Sequence, residues 1–365
     1  MSGTGKSLRV LVAPLDWGLG HTARCVPLIG ELVQRRCEVV LAADGASAQL
    51  LAREFPQLQL LKLPGYQIKY GKNFLIFSLF LQLPKIFGAI RKEQKWLHQL
   101  LKQEKFDIII SDNRPGFYSN KTHSIYITHQ LRIQSGIHKR VDDWLQQLHQ
   151  RYIMRFRTLW VPDVETAPNA AGELSHPPYQ STNPVYLGLI SRFQHKSVQT
   201  CKYDLMILLS GPEPQRSLLE EKLKRQLVQS SKNIIVVRGL PGSNAEVDFT
   251  SAVETYNHLS AHQLEQKMQE SAFVICRSGY TTIMDLLKLK KKALLIPTPG
   301  QTEQEYLAKH MQQLGCFPFL HQQDFQLEKA VTIMNTFSYS NPFKEDDYEY
   351  YRDVIDSLLI TPQLK

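Results

Sequence analysis

Residues 8–24 read LRVLVAPLDWGLGHTAR, and this stretch determines the fold that the sequence predicts. The β-branched run of residues 8–14 predicts a strand, the glycines after it predict a loop, and apolar periodicity over residues 23–35 predicts a helix. Residues 204–229 repeat the series, because the run DLMILL precedes the loop SGPEPQR and a helix rich in Leu, Lys and Glu. Two such openings predict an α/β protein with two Rossmann-like domains in tandem.

The length of the chain agrees with two domains. Its 365 residues exceed what one ordinary core holds, and strand and helix patterns alternate in both halves. We expect an N-terminal domain over residues 1–195 and a C-terminal domain over residues 203–340, which face each other across a cleft. Residues 192–202 are polar and lack periodicity, which is typical of a linker. Residues 341–365 are expected to contain a helix, from about residue 346 to residue 359, that packs back toward the N-terminal domain.

The composition restricts the environment and the partners. The formal net charge is +9, since 43 Lys and Arg residues outnumber 34 Asp and Glu residues, and this excess favours anionic partners. The five cysteines are widely spaced and form no CxxC pair, which is typical of reduced thiols in a cytoplasmic protein rather than of a zinc site or a disulfide framework. No basic stripe with interleaved aromatic residues is visible, so we expect no nucleic acid as partner.

An apolar run over residues 74–90, FLIFSLFLQLPKIFGAI, precedes a basic stretch. Gln82, Pro84 and Lys85 interrupt the run, and its unbroken part is too short to cross a bilayer. Two interpretations remain open. The run is either a buried helix or an interfacial segment that docks on an anionic membrane surface.

The first motif is residues 18–24, GLGHTAR, directly after the first predicted strand. Gly18 and Gly20 let the backbone approach a ligand, and the following helix presents free N–H groups to an anion. His21 lies at the start of that helix, where it can transfer a proton or donate to a phosphate or sugar oxygen. Asp112, directly after the strand predicted over residues 107–111, is the second candidate for a base.

Three motifs follow strands of the second domain. The loop around Ser210 and Gly211 offers backbone donors to a diphosphate, as does the turn in residues 276–285, CRSGYTTIMD. Asp285 lies on the next helix, where a carboxylate can bind both hydroxyls of a ribose. Residues 297–306, PTPGQTEQEY, form a polar loop whose amides and carboxylates suit sugar hydroxyls.

Together, these motifs resemble the C-terminal domain of family 28 glycosyltransferases, the group of the MurG-like UDP-N-acetylglucosamine transferases, which have the GT-B fold. The resemblance is specific over residues 273–308. It implies that Asp285 binds the ribose of the uridine and that the glutamine-rich loop binds the donor sugar. Glu305 stands where the family usually has a second glutamine. The loop after the first strand of the second domain, which is usually rich in glycine in this family, contains only Gly211 here. The implied donor-binding residues are Ser210, Gly211, Arg277, Ser278, Gly279, Asp285, Gln301, Gln304 and Glu305.

The N-terminal half resembles the family more loosely. His21 falls where these enzymes carry a histidine near the acceptor, and His129 with Gln130 resembles their His-Glu-Gln-Asn stretch. The pattern GxGHxxR, which ends at Arg24, is also similar to that of a UDP-sugar hydrolase of pseudaminic acid synthesis, in which the histidine is catalytic. The resemblance therefore assigns Gly18, Gly20, Arg24, His129 and Gln130 to an acceptor or phosphate loop.

The sequence thus predicts an inverting, metal-independent glycosyltransferase without a cofactor, which uses a UDP-sugar as substrate. UDP-N-acetylglucosamine is the first candidate for the donor, and the acceptor is an unidentified glycan, lipid-linked or of the cell envelope. The enzyme is expected in the cytoplasm, peripheral on the inner face of the membrane. Two alternatives remain, a UDP-sugar hydrolase with the same donor site, and a non-catalytic protein that binds nucleotides or nucleic acid.

Overall fold

The computed structural model describes residues 7–66, 83–136, 138–177, 183–194, 201–228, 230–241 and 253–360, together with residues 243 and 249. The chain divides into two compact units. Of the described residues, unit 1 contains those up to Ile190 and those from Glu345 onward, and unit 2 contains Ser191–Lys344. The units change after Ile190 and after Lys344, each a few residues from the domain boundaries that the sequence predicts after residues 195 and 340.

Unit 1 is built on a parallel sheet in the order β3-β2-β1-β4-β5-β6-β7. Its inner strands are short, mostly apolar runs that are buried on both faces, as expected for a parallel sheet covered by helices, whereas the two edge strands are partly exposed. The strands are β1 (Arg9–Pro14), β2 (Glu38–Ala43), β3 (Gln59–Lys62), β4 (Ile108–Asp112), β5 (His123–Ile127), β6 (Thr158–Val161) and β7 (Val185–Tyr186).

The helices of unit 1 include one from the far end of the chain. They are α1 (Leu19–Gln34), α2 (Gly45–Glu54), α3 (Leu83–Gln103), α4 (Lys139–Ile153) and α10 (Tyr350–Ile360). On α10, Tyr351, Ile355 and Leu358 join the apolar core beside Leu28 and Leu32 of α1. The C-terminal helix is therefore part of the core of unit 1.

Unit 2 repeats the plan with a parallel sheet in the order β10-β9-β8-β11-β12. Its strands are β8 (Tyr203–Leu208), β9 (Ile234–Val237), β10 (Val253–Tyr256), β11 (Ser271–Cys276) and β12 (Lys292–Leu295). Its helices are α5 (Gln215–Leu227), α6 (Ala261–Gln269), α7 (Tyr280–Lys288), α8 (Thr302–Gln313) and α9 (Leu327–Thr336). Ser260 begins α6 with a reciprocal capping box to Gln263.

Three predicted boundaries are wrong. Helix α1 begins at Leu19 rather than near residue 23, so Gly20 and His21 are helical. Strand β4 includes Asp112, which pairs with Pro14 of β1. The last helix begins at Tyr350 rather than near residue 346, because the carbonyl of Asp347 accepts the backbone N–H of Leu189 and the chain there forms only a short 3-10 turn.

The apolar run of residues 74–90 lies partly outside the described residues, which resume at residue 83. Within the part of the chain that the structure describes, none of the helices is both long and apolar enough to cross a bilayer. The basic stretch lies on and just after α3, where Arg91, Lys92, Lys95, Lys102 and Lys105 are exposed.

Candidate active site

Three neighbouring strands of unit 1, β1, β4 and β5, end at one edge of the sheet and bring polar side chains together. The carboxyl edge of a parallel sheet is where ligands bind in α/β proteins. His21 lies in the first turn of α1 after β1, Asp112 ends β4, and His129 follows β5. Nδ1 of His21 lies 2.9 Å from Oδ1 of Asp112. The structure therefore joins the two residues that the sequence predicts as candidate bases.

Arg24 lies three residues after His21 on α1, and its guanidinium is buried in this cluster. Nε donates to Oδ2 of Asp112 over 2.5 Å, and Nη2 donates to Oδ1 of the same carboxylate. Nη1 donates to Nδ1 of His129 over 2.9 Å. Arg24 is only 3% exposed, so its guanidinium pairs with the carboxylate in the interior rather than projecting from the loop toward solvent.

The charges of this cluster set the protonation of its members. Burial alone would raise the pKa of the Asp112 carboxyl, but the charge of Arg24 and the hydrogen bonds from Arg24 and His21 hold it well below its usual value. Burial and the charge of Arg24 lower the pKa of His21, although Asp112 opposes this shift. At neutral pH the carboxylate is ionised and the imidazole is neutral, which suits general base catalysis.

A second buried network holds the loop between β1 and α1. The guanidinium of Arg114 donates to the carbonyl of Pro14 over 2.7 Å and to Glu93 over 2.6 Å. The hydroxyl of Tyr66 donates to Glu93 over 2.7 Å, and its backbone N–H donates to Asp16 over 3.1 Å. Because these groups are paired and buried, the loop that leads to His21 has a defined conformation.

Unit 2 brings together three loops at the carboxyl ends of β8, β11 and β12, which are neighbours in the sheet. Gly211, in the first loop, has a φ of +98°, which L side chains rarely adopt, and a Cβ there would lie 3.4 Å from Oγ1 of Thr298 in the third loop. Ser210 precedes it. Ser278 and Gly279 form the second loop, but Gly279 has an ordinary φ of −71°. The turn predicted around Ser278 and Gly279 is therefore not a glycine turn with positive φ. Gly279 instead has an extended backbone conformation and directly precedes α7.

Arg277 lies behind these loops and is 1% exposed. Nη2 donates to the carbonyl of Gln215 over 2.9 Å and to the amide oxygen of Gln322 over 2.7 Å, and Nη1 donates to the carbonyl of Ile296 over 3.3 Å. Burial lowers the pKa of Arg277 to about 10, so it is charged at neutral pH. Since these acceptors are uncharged, the positive charge remains to favour an anion at the loops.

The side chains predicted to bind the donor sugar support their own loop. The amide oxygen of Gln304 accepts the backbone N–H of Thr298 over 2.9 Å, and the carboxylate of Glu305 accepts that of Gly300 over 3.1 Å. Gln301 precedes the first residue of α8. These contacts order the polar loop at the edge of the sheet, and both side chains remain partly exposed.

Asp285 lies on α7 and is 5% exposed. The hydroxyl of Ser191 donates to its Oδ1 atom over 2.6 Å. Burial raises the pKa of Asp285 to about 6, against the charge of Arg192 and the bond from Ser191, and the charge of Glu265 adds to the rise. A buried carboxylate with a perturbed pKa in this position is a candidate for ligand recognition.

The remaining predicted residues lie near the cluster of unit 1. Gly18 precedes α1 with a φ of +101°, and Gly20 lies inside that helix. In the loop after β5, the backbone N–H of Gln130 donates to the hydroxyl oxygen of Thr128 over 3.1 Å. Sequence reasoning missed Ser191, which stands just before the stretch predicted as a linker, and Thr298, which lies in the predicted polar loop but has no role assigned there. Nothing in the spacing of either residue indicates its contact.

Comparison with known proteins agrees with this architecture. Residues 215–350 match the model of the glycosyltransferase family 28 C-terminal domain. The chain is 23% identical, over 331 residues, to the UDP-N-acetylglucosamine–N-acetylmuramyl-(pentapeptide) pyrophosphoryl-undecaprenol N-acetylglucosamine transferase of Pasteurella multocida (strain Pm70), with 87% of this chain and 86% of that protein covered.

Solved structures show the same fold. The spinosyn rhamnosyltransferase SpnG superposes with a TM-score of 0.63 at 12% identity, covering 98% of this chain and 97% of that one. MurG of Acinetobacter baumannii superposes with a TM-score of 0.55 at 14% identity, covering 98% and 100%. Two parallel-sheet units with this likeness show the GT-B fold, which confirms the predicted fold class.

The family match then specifies the group within that class. The chain has the GT-B fold, and its residues 215–350 match the glycosyltransferase family 28 C-terminal domain. This confirms the resemblance that the donor-site motifs predict.

Proposed function

We propose that the protein transfers a sugar from a UDP-sugar, with UDP-N-acetylglucosamine as the first candidate, to a lipid-linked acceptor, and that it needs no metal ion. The observation that carries the proposal is the arrangement of three loops, a buried arginine whose described acceptors are uncharged, and a buried carboxylate at one edge of the second sheet. The Pasteurella multocida relative is named for a UDP-N-acetylglucosamine donor and an undecaprenol-linked acceptor, which supports both assignments.

We place the donor diphosphate at the positive charge and the backbone N–H groups of unit 2. A diphosphate needs positive potential and N–H donors, and the loop at Gly211, the start of α7 and the charge of Arg277 supply them. Asp285 accepts the ribose hydroxyls, and the loop that carries Gln304 and Glu305 binds the sugar. Stabilisation of the leaving diphosphate by these fixed dipoles lowers the barrier to transfer.

The proposed base is His21. Nδ1 of His21 lies 2.9 Å from Oδ1 of Asp112 and 2.7 Å from Nη2 of Arg24, which also donates to that carboxylate oxygen. In the tautomer that we propose for catalysis, Nδ1 carries the proton and donates it to the ionised Asp112, while Nη2 of Arg24 donates to the carboxylate. Nε2 then carries the lone pair. It takes the proton of the acceptor hydroxyl as the acceptor oxygen bonds to the anomeric carbon. The bond from that carbon to the diphosphate oxygen breaks, and the diphosphate leaves with the electron pair.

The transfer reaction tests the proposal directly. Purified protein is incubated with UDP-N-acetylglucosamine, with and without an undecaprenyl-linked saccharide, and UDP and sugar products are measured. Transfer of sugar to the lipid, with UDP released in equal amount and no loss of activity in EDTA, is the expected result. Release of free N-acetylglucosamine without acceptor would instead support the hydrolase, and a requirement for added metal would contradict the proposed metal independence.

Replacing Asp285 with alanine is expected to weaken UDP binding by about 1–3 kcal/mol, the range for losing a charged hydrogen-bond acceptor. In the wild type, affinity should also fall as the pH drops below about 6, because burial raises the pKa of Asp285 to about 6 and its protonated form accepts hydroxyl protons poorly. Calorimetric titration of UDP between pH 5 and pH 8, roughly the range over which a group of this pKa titrates, measures both effects.

Asp353, an exposed aspartate on α10, provides the matched control. Asp353→Ala should bind UDP as the wild type does, with the same dependence on pH. If Asp285→Ala also keeps full affinity for UDP at pH 8, Asp285 does not bind the nucleoside.

The basic face of α3 leads to a prediction about membranes. Arg91, Lys95 and Lys102 are exposed on this helix, and each basic residue near an anionic surface contributes about 1 kcal/mol. We expect salt-sensitive binding to vesicles that contain anionic lipid, and a weakening of at least about tenfold in the charge-reversed Lys95→Glu/Lys102→Glu variant. Co-sedimentation measures it, with Lys309→Glu on α8 as the control. Protein that stays in the supernatant at low salt would exclude this role.

A further inference from the structure

Ser191 is held in a defined place relative to the donor site. It is the first described residue of unit 2, and its hydroxyl accepts the backbone N–H of Phe193 over 3.1 Å while donating to Oδ1 of Asp285 over 2.6 Å. Because its oxygen accepts from one side, its proton is directed to the carboxylate. The backbone of Arg192 also favours the ionised form of Asp285. The hydroxyl of Ser191 therefore orients the carboxylate.

The segment that carries Ser191 is itself anchored. The backbone N–H of Gln194 donates to Glu265 over 2.9 Å, and the amide of Gln269 donates to the carbonyl of Gln194 over 2.9 Å. Phe193 is buried, and the guanidinium of Arg192 stacks over its ring with 5.0 Å between the guanidinium carbon and the ring centroid. A rigid segment fixes the side chain that it bonds to, which avoids the cost of ordering that side chain when a ligand binds.

We propose that Ser191 is a positioning residue that sets the nucleoside specificity of the donor site. It holds Oδ1 of Asp285, so that Oδ2 is directed to the 2′-hydroxyl of the donor's ribose and a 2′-deoxynucleotide is bound less well. This inference rests on the proposed function, because it takes Asp285 as the ribose-binding group. It adds a residue for which neither the motifs nor the family resemblance predicts a role.

The charges that face Asp285 also depend on Ser191. Arg192 favours the ionised carboxylate and Glu265 opposes it, and both lie within unit 2. Removing the hydroxyl of Ser191 takes away one of the bonds that favour ionisation, so the pKa of Asp285 rises further above its usual value. The pH below which the affinity for UDP falls, here called the acid limb of UDP binding, should then be higher than in the wild type.

The test compares UDP with 2′-deoxy-UDP by calorimetric titration on the whole protein at pH 8, about two pH units above the pKa of Asp285, so that the carboxylate is ionised. The wild type should prefer UDP by about tenfold or more, since the lost bond is to a charged acceptor. Ser191→Ala should narrow this preference by about threefold to tenfold and shift the acid limb upward. Ser191→Thr keeps a hydroxyl and should restore both properties, which a general loss of stability would not do.

The control is Ser340→Ala, which removes a serine hydroxyl bonded to the carbonyl of Leu314 in the same unit. It should keep the wild-type preference. One outcome would contradict the role of Ser191 alone. If Ser191→Ala keeps the wild-type preference for UDP over 2′-deoxy-UDP and the wild-type acid limb, while Asp285→Ala loses affinity for UDP, the role proposed for Ser191 is wrong and the proposed donor site is supported. If the wild type binds UDP and 2′-deoxy-UDP equally and Asp285→Ala binds normally, both the donor site and the inference are wrong.

Discussion

Replacing His21 with alanine is expected to lower turnover about a hundredfold to ten-thousandfold, the usual contribution of general acid–base catalysis. The affinity for UDP should change little, because the residues proposed to hold the nucleotide lie in unit 2 and His21 lies in unit 1. The change removes the imidazole that Asp112 orients over 2.9 Å. Steady-state transfer kinetics and calorimetric titration of UDP measure the two quantities separately.

The pH dependence of the wild type gives a second readout for His21. Burial lowers the pKa of His21 below its ordinary value near 6.5, so the neutral, basic form persists and the acid limb of kcat/KM should lie below that value. His98, an exposed histidine on α3, is the matched control, and His98→Ala should retain full turnover. If His21→Ala keeps its turnover but loses UDP affinity, His21 is a binding residue and Asp112 becomes the candidate base.

Replacing Asp112 with asparagine is expected to lower turnover about a thousandfold to ten-thousandfold. An amide can donate to Nδ1 of His21 where the carboxylate accepts, and it then stabilises the tautomer whose Nε2 carries the proton. The charge of Arg24, which is 3% exposed, is left without its counter-ion. Removing one partner of a buried ion pair lowers the free energy of unfolding by about 3–5 kcal/mol.

Two further variants separate the loss of activity from the loss of stability. Asp107→Asn changes an aspartate just before the other end of β4, where it accepts the backbone N–H of Arg9 over 2.8 Å, and should keep turnover. The double variant Arg24→Gln/Asp112→Asn removes the uncompensated charge and should regain part of the stability while remaining inactive. A turnover of Asp112→Asn within about tenfold of the wild type would show that the tautomer of His21 does not control the reaction.

The strand and helix order follows from local sequence patterns because each strand of a parallel sheet is a short apolar run and each helix has its own periodicity. The sequence patterns also predict where the candidate site residues lie in each unit. His21, Asp112 and Asp285 all come after predicted strands, and ligands bind at the carboxyl edge of a parallel sheet. The boundaries are less accurate. Gly20 suggests a loop, yet it lies inside α1, because tertiary packing overrides the weak helix propensity of one glycine.

Contacts between distant residues cannot be read from these patterns. Arg24 is predicted in a phosphate loop, but it pairs with Asp112, which lies 88 residues later in the chain. Ser191 stands next to a polar stretch that predicts a linker, and no pattern indicates that its hydroxyl bonds to Asp285. Sequence spacing reports which residues share a helix face or a strand end, and it does not report which side chains meet when separate elements pack.

The most direct test of the account is a thermal-shift panel of UDP-, GDP-, dTDP- and CMP-sugars on the wild type and on Asp285→Ala. A ligand present at a hundred times its Kd stabilises the folded protein by about 2.7 kcal/mol. UDP-N-acetylglucosamine should raise the Tm of the wild type more than any other compound in the panel, and the shift should shrink in Asp285→Ala. A panel in which no UDP compound raises the Tm, or in which a GDP- or CMP-sugar raises it most, would contradict the assignment of unit 2 as a UDP-sugar site.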